Sequence, residues 1–134
     1  MFTGIDHIGV AVRNLTVAVQ YYRDVLGFRL EGVHVLEDRK VKVAFFSTGG
    51  ETQIELLEPT SSESAVAKFL ESRGEGIHHF AVKVDDLETA VKGFKDRGMT
   101  LIGDRSRTGA KGSKVTFVHP KSTHGVLLEF VEKR

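Results

Sequence analysis

The chain contains two copies of one sequence pattern. When Gly4 is aligned with Gly76, the segment GIDHIGVAVRNLTVAVQYYRD lies over GIHHFAVKVDDLETAVKGFKD without a gap. Near the end of each copy the pattern recurs, because QIELLE (Gln53 to Glu58) lies over LLEFVE (Leu127 to Glu132). A single duplication predicts two fused modules rather than a longer array of repeats.

Each copy is predicted to begin with a strand that is followed by a helix. In the first copy the strand, Ile5 to Val12, alternates between two faces, one of which carries His7, Gly9 and Ala11. The helix that follows has apolar residues at helical spacing, namely Leu15, Ala18, Val19, Tyr22 and Leu26.

Both helices carry signals at their ends. We expect Asn14 to cap the first helix and Asp85, with Glu88 three residues later, to cap the second. Gly27 and Gly98 stand where a helix favours a left-handed residue after its last turn. The sequence therefore bounds each helix at both ends.

Three further strands complete each module. Their expected bounds are Phe28 to Leu36, Val41 to Ser47 and Thr52 to Leu57, then Met99 to Gly103, Lys114 to Val118 and Gly125 to Val131. The result is an α+β protein of two tandem βαβββ modules within one domain. We place module one at about 1–59, a linker helix closed by Gly74 at about 60–74, and module two at about 75–134. A curved mixed sheet is expected to enclose a cavity.

Composition excludes several classes of function. The 19 basic and 18 acidic residues are dispersed and give a net charge of +1, which is no footprint for nucleic acid or a membrane surface. No cysteine is present, so disulfides, thiolate metal sites and cysteine nucleophiles are excluded. The N-terminus does not have the pattern of a signal peptide, and we expect a cytoplasmic protein.

Four residues that the duplication pairs have the chemistry of a metal site. His7 and His79 occupy matching positions on the first strands, and Glu55 and Glu129 occupy matching positions on the last strands. If these strands are neighbours, the side chains converge and suit a borderline divalent ion such as Zn²⁺, Co²⁺, Mn²⁺, Ni²⁺ or Fe²⁺. Any one of them alone is more often a surface group or a hydrogen-bonded core residue.

The motifs resemble one enzyme family along nearly the whole chain. DHIGVAV, YYRDVLGF, ETQIELLEP, GEGIHHFAVKVDD and TFVHPKSTHGVLLEF are similar to segments of the methylmalonyl-CoA epimerases, which belong to the vicinal-oxygen-chelate superfamily. The resemblance implies that His7, Glu55, His79 and Glu129 are metal ligands. It also implies a divalent ion, with Co²⁺ favoured and Mn²⁺, Zn²⁺ or Ni²⁺ as alternatives, an acyl-CoA substrate and a homodimer.

The implied reaction removes the proton between a thioester and a carboxylate and returns it on the opposite face. The resemblance makes Glu129 one proton-transfer group. Val43 stands where some relatives carry the second catalytic glutamate, so that role is open, with Lys42, Glu37 or a metal-bound water as candidates.

Other polar residues carry weaker signals. The segment Arg107 to Lys114, with Lys111 and Lys114, could contact CoA phosphates, although such a loop is more often a solvated turn. His78 is expected to be structural, and no role is assigned to His34, His119 or His124.

Three alternatives stay open. A glyoxalase I-like isomerase of glutathione hemithioacetals would use the same metal and the same enediolate chemistry. An extradiol dioxygenase fits less well, because that chemistry uses two His and one carboxylate on iron. A metal-free drug-binding protein of the same fold would not need all four ligand-type residues.

Overall fold

The structure, a computed structural model, describes residues 2–108 and 113–133, and for residues 103–108 it describes the backbone. The strands are β1 Phe2–Ala11, β2 Arg29–Leu36, β3 Val41–Ser47, β4 Gln53–Pro59, β5 Gly76–Val84, β6 Leu101–Thr108, β7 Lys114–Val118 and β8 Leu128–Glu132. The helices are α1 Leu15–Gln20, α2 Ala65–Arg73 and α3 Leu87–Asp96. The predicted α+β class and the βαβββ order of both halves are confirmed.

The chain divides into two compact units, the first of which is His7–His78. Its strands follow the order β2-β3-β4-β1. The pairs β2–β3 and β3–β4 are antiparallel, and β1 runs parallel to β4. One face packs under α1 and forms an apolar core whose buried members are Val12, Leu15, Ala44, Phe46 and Leu56.

The second unit contains Met1–Asp6 and His79–Arg134. Its strands β5, β8, β7 and β6 repeat the arrangement, with β5 parallel to β8 and the other pairs antiparallel. The core under α3 is equivalent by the repeat and contains Val84, Leu87, Ala90, Val118 and Phe130. The predicted division into modules at about 1–59 and 75–134 stays a prediction.

The first residues of β1 pack within the second unit. The Phe2 ring stacks on Phe94 at 5.8 Å and lies 5.9 Å from Phe130, between ring centroids. The Nζ of Lys133 lies 2.8 Å from a carboxylate oxygen of the buried Asp6. The duplicated sequence does not predict that the start of β1 packs with the second unit. It aligns Gly4 to Asp6 with the start of β5 and so assigns them to the first module.

The first helix departs from its prediction. After Gln20 it continues as a π-helical turn, Tyr21–Val25, in which the Leu26 N–H donates to the Tyr21 carbonyl. The wider turn rotates Leu26 off the apolar face, and its side chain is 48% exposed. Leu26 therefore does not belong to the core stripe. The expected left-handed Gly27 is confirmed, with φ of 82°.

Other local predictions are corrected by backbone geometry. Asp86, not Asp85, caps α3, and its side chain accepts the N–H of Thr89. Asp86 aligns with Asn14, which caps α1 in the same way. The strands expected at Met99 to Gly103 and Gly125 to Val131 begin later, as β6 and β8. The Met99 N–H still bonds back to Phe94 of α3, and Gly125 lies in a turn.

A second glutamate on β4 and β8 ties each helix to its sheet. Glu58 accepts the N–H of Leu15 at 2.8 Å, and Glu132 accepts the N–H of Leu87 at 2.9 Å. Each carboxylate thus lies at a helix N-terminus, where it satisfies a donor that lacks a partner within the helix. None of the described helices is long and apolar enough to cross a membrane.

We expect Glu58→Ala to lower the free energy of unfolding by about 1–2 kcal/mol, the usual cost of losing a helix N-terminal acceptor. Urea denaturation followed by circular dichroism measures it. Glu71→Ala, at an exposed position of α2, is the control and should change it by less than about 0.5 kcal/mol. Equal small effects of both changes would contradict the role given to Glu58.

Candidate functional site

The first unit holds a buried histidine–glutamate pair. The parallel register of β1 and β4 aligns Gly9 with Glu55, so His7, two residues before Gly9, has its side chain on the same face as Glu55. The Nδ1 of His7 lies 3.2 Å from a carboxylate oxygen of Glu55. This face is opposite to the one covered by α1.

The second unit repeats the pair. Ala81 aligns with Glu129 across β5 and β8, and His79 stands two residues before Ala81. The Nε2 of His79 lies 3.3 Å from a carboxylate oxygen of Glu129. All four side chains are buried; the exposed fractions are 5% for His7, 8% for Glu55, 5% for His79 and 3% for Glu129.

Small and aromatic residues flank each pair. Gly9 and Ala81 stand beside the glutamates on one side and add almost no bulk. Phe45 aligns with Glu55 on its other side, as Phe117 does with Glu129. The ring of His79 lies edge-on to Phe117 at 6.1 Å. Each carboxylate therefore has one small and one aromatic neighbour.

The geometry of each pair fits two ligands of one cation. Ligand atoms bound at about 2.0–2.2 Å and at right angles are about 3 Å apart, close to the observed 3.2 and 3.3 Å. Imidazole and carboxylate together suit borderline divalent metals. A cation would also offset the cost of burying each carboxylate away from water.

The four predicted ligands thus occur as two buried pairs of like composition, one in each unit. Their joint binding of a single ion stays a prediction.

Of the candidates for the second proton-transfer group, one lies on the opposite face of the sheet and another lies outside the strands. Lys42 aligns with Glu58, whose carboxylate contacts α1, so Lys42 lies on the face opposite to Glu55. Glu37 is exposed in the short helical turn between β2 and β3. Val43 does lie on the Glu55 face and is 1% exposed.

The weaker sequence signals have mixed outcomes. The Nζ of Lys114 lies 3.9 Å from Glu132, and residues 109–112, which include Lys111, lie outside the described residues. His78 lies edge-on to Phe69 of α2 at 5.0 Å, which agrees with a structural role. His119 accepts the N–H of Lys121 at the start of a short turn.

The sequence assigns no role to His34. Its ring lies edge-on to Phe45 at 5.2 Å, which places it on the Glu55 face of the first sheet. The short β2–β3 hairpin predicts this position, because a turn between Leu36 and Val41 sets the register that aligns His34 with Val43.

Comparison with known proteins identifies the family. Residues 6–117 match the Glyoxalase/Bleomycin resistance protein/Dioxygenase superfamily. The chain belongs to this superfamily. Its fold class and the family predicted from the motifs are confirmed.

The relatives include enzymes with a shared activity in their names. The chain is 38% identical to the mitochondrial methylmalonyl-CoA epimerase of Mus musculus, over 93% of this chain and 70% of that protein. It is 36% identical to the ethylmalonyl-CoA/methylmalonyl-CoA epimerase of Cereibacter sphaeroides, over 96% of this chain and 97% of that protein. A Streptomyces coelicolor methylmalonyl-CoA epimerase variant, solved with 2-nitronate-propionyl-CoA, matches with a TM-score of 0.94, 40% identity and 99% coverage of both chains.

Proposed function

We propose that this chain is a metal-dependent epimerase that inverts the α-carbon of methylmalonyl-CoA. The observation that carries the proposal is the buried His–Glu pair, which occurs at matching positions of both halves. The relatives named as methylmalonyl-CoA epimerases align with nearly the whole chain, so the likeness extends over both pairs. The substrate is a small acyl-CoA molecule.

We propose His7, Glu55, His79 and Glu129 as the ligands of one divalent ion. Two imidazoles and two carboxylates would leave part of the ion's coordination shell open to substrate oxygens. When bound, the ion supplies positive charge beside the thioester oxygen, where negative charge grows as the α-proton leaves. Family resemblance favours Co²⁺, with Mn²⁺, Zn²⁺ and Ni²⁺ as alternatives.

The protein's own residues hold the substrate and move the proton. We assign proton transfer on one face of the α-carbon to a carboxylate oxygen of Glu129, which is buried and stands beside the small Ala81. A proton acceptor placed in this way contributes about 10²–10⁴ to the rate. The apolar rings of Phe45 and Phe117 beside the two glutamates help to exclude water.

Homodimer formation, a cytoplasmic location and the absence of nucleic-acid and membrane partners remain part of the proposal. They rest on the family resemblance and on the dispersed charge.

The substrate is tested by incubating the protein with methylmalonyl-CoA in D₂O and following α-deuterium by NMR. We expect exchange together with interconversion of the two epimers. A glutathione hemithioacetal serves as the comparison substrate and should not turn over at a comparable rate. Turnover of the hemithioacetal alone would assign the chain to the glyoxalase I-like alternative.

Protein prepared without chelator should bind about one Co²⁺ per chain. Because the loss of groups that merely orient a ligand costs about 10–100-fold in affinity, His7→Ala and His79→Ala should each weaken binding by at least about 10²-fold. Elemental analysis and calorimetric titration measure both quantities. His124→Ala, at an exposed position, is the control. Two ions per chain would instead mean that each pair binds its own metal.

The two glutamates should differ in their response to substitution. Glu55→Gln keeps an oxygen ligand, so bound metal and much of the activity should remain. Glu129→Gln also keeps an oxygen but loses the basic site, so kcat should fall by about 10² or more while metal stays bound. Both variants lose one negative charge and thereby control for each other. Equal, mild losses would make Glu129 a ligand alone.

A further inference from the structure

The first sheet presents a row of side chains beside Glu55 on the face that carries His7. Phe45 of β3 aligns with Glu55, and Gly32 of β2 aligns with Phe45. In the next row, Val43 aligns with Leu57 on one side and with His34 on the other. Val43 has no group that can accept or donate a proton, and His34 is its direct neighbour.

The imidazole of His34 leans toward the Glu55 row. Its ring lies edge-on to Phe45 at 5.2 Å between centroids. Its Nε2 would be 3.5 Å from a Cβ built at Gly32, so it lies over the position that this glycine leaves without a side chain. Gly32 therefore gives the ring space to reach along the sheet toward Phe45 and Glu55.

The spacing between His34 and Glu55 suits a substrate between them. They stand on β2 and β4, separated by one strand, and two inter-strand spacings amount to about 10 Å between backbones. His34 also lies one row along from Glu55, and the Phe45 ring stands on the strand between them. A small acyl group would lie over that ring. His34 is exposed, so it can exchange protons with solvent between turnovers.

Other ionisable groups on this side of β2 are engaged. Arg29 and Glu31 contact each other at 3.4 Å, and Glu31 also accepts an N–H from the Gln53 side chain. A guanidinium is in any case always protonated and cannot serve as a base. The imidazole nitrogens of His34 make no hydrogen bond or ion pair with the described residues, so they are available to a ligand.

We propose that His34 is the second proton-transfer group of the epimerase, a role that rests on the function proposed above. Glu129 removes the α-proton from one epimer, and the C–H electron pair becomes part of the enolate of the thioester. Protonated His34 then donates its proton to the same carbon from the opposite face, which forms the new C–H bond. In the reverse direction neutral His34 accepts the proton and Glu129, as the carboxylic acid, returns one.

Two proton-transfer groups on opposite faces give a stereochemical test. In D₂O the wild type should interconvert the epimers and exchange the α-proton of both. His34→Gln should lower epimerisation by about 10² or more and still exchange the α-proton of one epimer, which Glu129 removes. Glu129→Gln should show the mirror result and exchange the other epimer. The retained exchange also shows that each variant is folded.

Controls separate the possible failures. His124→Gln, which removes an exposed imidazole from the other half of the chain, should behave as the wild type. Epimerisation by His34→Gln at the wild-type rate would overturn the assignment while the function stands. Loss of exchange of one epimer in Glu31→Gln, with His34→Gln unaffected, would assign the role to Glu31. A wild type that neither exchanges nor epimerises would overturn both proposals.

Discussion

Each module places two glutamates three residues apart on its last strand, and the alternation of a β-strand sends them to opposite faces. Glu58 and Glu132 accept the first helical N–H groups of α1 and α3, and so attach each helix to its sheet. Glu55 and Glu129 point away from the helices and meet a histidine. A shift of one residue in the register of β4 or β8 would send each glutamate to the other face, leaving a helix without its acceptor and a histidine without its carboxylate. Fold and site therefore depend on the same register.

Much of this architecture could be predicted because the sequence contains two copies of the same pattern. The repeat identified the two histidines, the two glutamates and the βαβββ order, and the bounds of β3 and β7 agree with the structure. The wider turn of the first helix could not be predicted from apolar spacing alone, which is the same for Tyr22 and Leu26. In the structure Tyr22 packs against Phe28 and Phe46, whereas Leu26 is exposed. The cap of α3 could have been predicted from the alignment of Asp86 with Asn14, but the nearby Glu88 drew the prediction to Asp85.

In the candidate site, too, some residues could be predicted from sequence and one could not. Residue identity and position along a strand predicted the ligand set, because alternation is a local property. His34 required the pairing of β2 with β3, which is a property of two strands and a turn. The hairpin has Lys40 in the left-handed region at its end, with φ of 55°, and a bulge near Glu31, which changes the register along β2. Counting residue pairs outward from the turn reaches His34 before the bulge, so the pairing of His34 could be predicted. The pairing of Arg29 and Leu30, beyond the bulge, could not be predicted from sequence.

Phe2–Asp6 group with the second unit although they precede the first unit, His7–His78, in the chain. Phe2 stacks on rings of α3 and β8, and Asp6 contacts Lys133 just after β8. A fragment that ended after α2 would keep this half-strand and lack the surface it packs on, while a fragment that began at β5 would keep the surface and lack the strand. The two fragments are thus complementary, and expressed separately they have a specific means of recognising each other.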